Sequence, residues 1–99
     1  MPEGRSHKTT ANRIARKYRV EYNEGAGVDI QTSQVAVEVE PAESVSDAMR
    51  QLQGYRKRVY IAGTSQDAVE KALEATEGTT VGVMDSQGNI VKPSTRKKG

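Results

Sequence analysis

Three acids, Asp29, Glu38 and Glu40, are the residues of this sequence best suited to do chemistry. Glu38 and Glu40 fall in residues 34–40 (QVAVEVE), where strict alternation puts Val35, Val37 and Val39 on one face of a strand and Ala36, Glu38 and Glu40 on the other. Asp29 precedes them in a second extended piece, residues 28–31, with Thr32 and Ser33 as the connection. A hairpin pairing Gln31 with Gln34 sets Asp29 opposite Ala36 and diagonal to Glu38, and diagonal neighbours are roughly 7 to 8 Å apart. Two carboxylates at that spacing close on one hard cation such as magnesium, which oxygen binds at about 2.0 to 2.1 Å. Ala36 leaves room for the ion. Three acids on one face repel each other unless a cation compensates, and a metal held there lowers the pKa of water and shields phosphate oxygens. Register decides this: a slip of one residue sends Asp29 to the valine face, whereas a slip of two keeps it with the glutamates. The competing reading is a solvated antiparallel face, on which Glu alternating with Val is ordinary.

The elements that must position these acids follow from periodicity. At 99 residues one domain is expected, and eleven valines against two leucines point to a core built around a sheet. Residues 1–6 predict a frayed start, with Ser6 available as a cap. Ala11, Ile14, Ala15 and Tyr18 form one helical stripe over residues 7–18. Residues 19–22 alternate as a short strand, and residues 23–27 (NEGAG) make a turn before the hairpin. Pro41 ends the acidic strand. Val45, Ala48, Met49 and Leu52 mark a second helix, with Ser44 and Asp47 at capping-box spacing, and Gly54 suits its end. Residues 59–62 make an apolar strand. Thr64 and Asp67 share the cap spacing before a third helix closed by Gly78, and a final hairpin folds around residues 85–89. The order α, β, β, β, α, β, α, β, β predicts an α/β fold, a mixed sheet flanked by helices, with a right-handed parallel crossover between residues 40 and 59. The domain is expected over residues 1–93, and residues 94–99 read as a disordered basic tail.

With no cysteine, disulfides, thiolate catalysis and Cys-ligated zinc are excluded, and the lone His7 cannot build a histidine metal site within one chain. No stretch reaches the roughly 18 to 20 apolar residues of a spanning helix, so no membrane is expected and the compartment reads as cytoplasmic. The net charge of +2 hides an uneven distribution. Arg13, Arg16, Lys17 and Arg19 crowd the first third, Arg56, Lys57 and Arg58 sit mid-chain, and Arg96, Lys97 and Lys98 lie at the end. Arg13, Arg16 and Lys17 fall off the apolar stripe of the first helix. With Arg56, Lys57 and Arg58 they are candidates to hold phosphates beside the acids, although exposed charges need no partner. The thin core, without Trp or Phe, leaves apolar burial to gain from a homodimer.

Residues 25–30 (GAGVDI), residues 35–40 (VAVEVE) and helical residues 51–55 (QLQGY) together resemble the PD-(D/E)XK nucleases, with archaeal Holliday-junction resolvases especially similar in the Gly-x-Asp-Ile and strand portion. The resemblance spans roughly residues 7–62 and implies a restriction-endonuclease-like αβββαβ core. It further implies that Asp29 and Glu38 ligate Mg2+ or Mn2+, and that Gln51 and Tyr55 support the site or touch the nucleic-acid strand. It departs at two places. Glu40 stands where the family carries lysine, and the first helix carries no acid where many members place a glutamate. Glu40 would then bind a second metal or act as general base, with Lys57 as a substitute for the missing cation. The functions implied are a metal-dependent nuclease acting on duplex or branched DNA, a non-catalytic nucleic-acid-binding member of the family, or a protein-interaction subunit whose acidic face meets a basic partner.

Overall fold

Alternating valines and alanines build a sheet with both faces buried. Residues 5–23 and 27–97 are described by the computed structural model. The chain runs α1 (Arg5–Lys17), β1 (Ile30–Gln31), β2 (Val35–Glu40), a 3-10 turn (Ala42–Ser44), α2 (Val45–Gln51), β3 (Arg58–Gly63), α3 (Gln66–Ala75), β4 (Gly82–Met84) and β5 (Ile90–Lys92). The sheet order is β1-β2-β3-β4-β5. β2, β3 and β4 are mutually parallel, and β1 and β5 pair antiparallel at the margins. This is a mixed α/β fold with a five-stranded sheet and three helices.

α1 covers one face. Its Ala11, Ile14 and Ala15 pack on Ile30, Val37, Val39, Tyr60, Ala62 and Met84. α2 and α3 cover the other, with Val45, Ala48, Leu52, Val69 and Ala72 against Ala36, Val59, Ile61 and Val83. Cover on both faces explains why the central strands read as nearly continuous apolar runs. It also overturns the solvated-face reading of β2, because Ala36 is 0% exposed and Glu38 only 3%.

Four expectations need correction. Residues 19–22 form no strand. α1 ends in a Schellman motif, with Val20 N–H bonded to Ala15 O at 3.0 Å and Arg19 N–H to Arg16 O at 3.1 Å. Arg19 takes the left-handed conformation, φ 59°, and Val20 and Tyr22 after it pack against the α1 face of the core. The β1–β2 hairpin closes one residue later than expected, since Thr32 pairs with Val35 and its Oγ1 accepts the Gln34 and Val35 N–H groups. Gln31 therefore lies opposite Ala36, not Gln34. At the helix starts, Ser44 makes no side-chain cap, whereas Ser65, not Thr64, caps α3 through the Ala68 N–H.

The fourth correction concerns the expected tail. Ser94 is buried, its Oγ accepting from Val59 N–H and donating to Thr80 O, and Arg96 donates to Leu52 O and Tyr55 O. Residues 94–97 thus belong to the packed domain. Ser6's capping role, most of the 23–27 turn and the last two residues of the expected tail lie outside the described side chains.

Candidate functional site

The two-residue register shift carries Asp29 level with Glu38, because positions paired across β1 and β2 continue from Ile30 opposite Val37. Glu38 and Glu40 share one side of β2, while Asp29, which precedes the first paired residue of β1, meets Glu38 at the sheet edge. Asp29 lies just before the start of β1 at the sheet margin. There the two side chains extend the ladder: Asp29 N–H donates to Glu38 Oε1 at 2.9 Å, and Val39 N–H donates to Asp29 Oδ2 at 2.8 Å. Glu40, the last residue of β2, adds a side-chain hydrogen bond to Glu38.

The Glu38 carboxyl is pushed up from its ordinary value to about 8. Burial is the main cause, and the Asp29 charge adds to it. The Asp29 N–H works in the opposite direction, and Glu40 raises it further. Glu38 therefore holds its proton at neutral pH.

A histidine also enters the site. His7, in the first turns of α1, reaches Asp29 Oδ2 through Nε2 at 3.5 Å, and Tyr22 Oη lies 3.2 Å from its Nδ1. The rings of His7 and Tyr22 are 5.9 Å apart and tilted by 55°. Contact with the carboxylate through Nε2 fits a tautomer with the hydrogen on that nitrogen, leaving Nδ1 to accept from the tyrosine. The apolar stripe of α1 already pointed to His7, which sits four residues before Ala11 on the same helical line. Tyr22 carried no such signal, since its position depends on the reversal at Arg19.

The other predicted residues are placed elsewhere. Gln51 ends α2 and is exposed. Tyr55 is half-buried against the α2/α3 core, 5.9 Å beneath Lys57 Nζ, which donates to Thr32 O. Those contacts fix Tyr55 and Lys57 at the start of β2, about 16 Å from Glu40 along the strand. Lys57 is therefore no substitute for a cation at the acids. Arg13 donates to Ser86 O and Lys17 to Gly88 O, both at 2.8 Å, so these two clamp the β4–β5 turn onto α1. Arg16, Arg56 and Arg58 are exposed. The structure brings Asp29, Glu38 and Glu40 together, and brings none of the predicted cations to them.

The donor set suits a hard divalent ion in its chemistry, being oxygen-rich. Its geometry is not preassembled: among the described residues no three His, Asp or Glu side chains converge closely enough to hold a metal. Also among the described residues, no helix is long and apolar enough to cross a membrane. Comparison with protein-family models, curated proteins and solved structures gives no match.

Proposed function

We propose that this chain is a nuclease-like protein of the PD-(D/E)XK type, hydrolysing nucleic-acid phosphodiesters at Asp29, Glu38 and Glu40 with Mg2+ or Mn2+. One observation carries the reading: three acids gather at the end of β2, where burial first, and the Asp29 and Glu40 charges after it, raise the Glu38 carboxyl to about 8. The order α1-β1-β2-α2-β3, with β2 and β3 parallel, supports it, with one strand fewer than the family pattern predicts.

A bound metal would supply an activated water and shield the phosphate oxygens. Asp29 and Glu38 would hold it, and a Glu38 that ligates must first release its proton, so binding strengthens as pH rises. Val39 N–H and His7 fix the Asp29 carboxylate, while Asp29 N–H fixes Glu38. Glu40, half-buried beside Glu38, would take a proton from an attacking water.

The test is incubation of purified protein with supercoiled, linear and branched DNA, with Mn2+ or with EDTA. Metal-dependent cleavage is expected, falling by about 100-fold or more in Asp29→Asn and in Glu38→Gln. Folded protein that cuts none of these substrates ends the hydrolytic reading.

A second reading draws on the two carboxylate-to-backbone bonds, which give Asp29 and Glu38 a structural task without any metal. The chain would then be a non-catalytic nucleic-acid-binding module. Salt-sensitive DNA binding without cleavage identifies it.

A further inference from the structure

At the end of the sheet opposite the acids, Gln34, Arg58, Ser94, Thr95, Arg96 and Lys97 line a groove of about 380 Å3. Among the described residues its lining carries three cations and no carboxylate, in a chain whose net charge is only +2. Arg96 is pinned, its Nε donating to Thr80 Oγ1 at 2.9 Å and its Nη1 to Leu52 O at 2.6 Å and Tyr55 O at 3.0 Å. These bonds use Nε and Nη1 but not Nη2, so the guanidinium is already ordered and still has donors to offer. An ordered arginine loses little further freedom on binding an anion. Arg58 and Lys97 are exposed on either side of it, and Arg56 is exposed nearby in the chain.

From this geometry we infer a second locus, a groove that holds the phosphodiester backbone of single-stranded nucleic acid. Gln34 and Thr95 add exposed hydrogen-bonding side chains for phosphate oxygens or sugar. No aromatic ring lines the groove, so bases are neither stacked nor read, and binding is indifferent to sequence. The cations of α1 are poorer candidates, because Arg13 and Lys17 already serve backbone carbonyls. The groove lies at the start of β3 and the acids at the end of β2, so it acts whether or not the acids cut.

The experiment measures binding of a labelled short oligothymidylate in EDTA, over a range of salt, with inorganic phosphate alone as a parallel arm. Wild-type protein is expected to bind with a steep salt dependence. The double variant Arg58→Ala/Lys97→Ala should weaken binding by about tenfold per cation near 50 mM salt and flatten the log-log salt slope by about 0.7 per cation. Arg50→Ala/Lys71→Ala removes the same charge from exposed positions on α2 and α3 and should leave both quantities unchanged. Amide shifts on adding oligonucleotide to wild-type protein should concentrate in residues 94–97 and at Arg58. Equal weakening by both double variants, shifts elsewhere, or a response to inorganic phosphate without one to the oligonucleotide would overturn the inference. Because EDTA removes any metal requirement, failure here is distinct from failure to cleave.

Discussion

At the scale of single residues, Glu38 governs the chemistry this chain has available. Its folded pKa of about 8 lies above the ordinary glutamate value of the unfolded chain, so the folded state holds the proton more tightly. The associated stability is complete below the unfolded value and is lost as pH rises through 8. In EDTA, urea denaturation should show a decline on the order of 2 to 4 kcal/mol between about pH 5 and pH 9. Glu38→Gln should flatten that decline, since an amide keeps the shape and cannot ionise. The Asp29, Glu40 and His7 groups are common to both proteins, so parallel curves would mean that another group titrates. The common side of Glu38 and Glu40 was legible from alternation alone. The ladder-extending role of Asp29 was not, because it depends on β1 beginning only at the residue after Asp29.

At the scale of elements, the close approach of α3 to β3 shapes the neighbourhood of the acids. A Cβ placed on Gly63 would lie 2.6 Å from Val69 N and 2.9 Å from the Ala68 carbonyl carbon, both backbone atoms that cannot swing aside. Gly63 pairs with Glu40 across the sheet, and the next N–H, of Thr64, donates to Glu40 O. Gly63→Ala should therefore force α3 away from the end of β3 and cost about 2 to 3 kcal/mol in chemical denaturation. An undiminished midpoint would show that α3 is not tightly seated there. Sequence periodicity found all three helices and the strands β1 to β5. It failed at residues 19–22, where alternation resembles a strand but a left-handed Arg19 closes the helix and the segment packs on the core without pairing.

At the scale of the whole molecule, residues 94–97 close the domain. Ser94 joins β3 to the segment before β4, and Arg96 ties both to the loop after α2. The radius of gyration, 11.8 Å, is below the roughly 13 Å typical of a 100-residue domain, which fits a chain packed to its last described residues. Ser94→Ala leaves the Val59 N–H without its acceptor and should cost about 1 to 3 kcal/mol. Truncation after Pro93 should lower the melting temperature further, and an unchanged melt would return this segment to the status of a tail. The sequence by itself determined the class of fold, the apolar faces and the common side of Glu38 and Glu40. Each depends on a local period of two or 3.6 residues, which neighbouring side chains impose without reference to the rest of the chain. Only the tertiary structure decided the hairpin register, the entry of His7 and Tyr22, and the separation of the basic groove from the acids. Those depend on where distant segments meet: Thr32 chooses the turn, α1 brings His7 to Asp29, and Arg96 finds its carbonyl partners more than forty residues away.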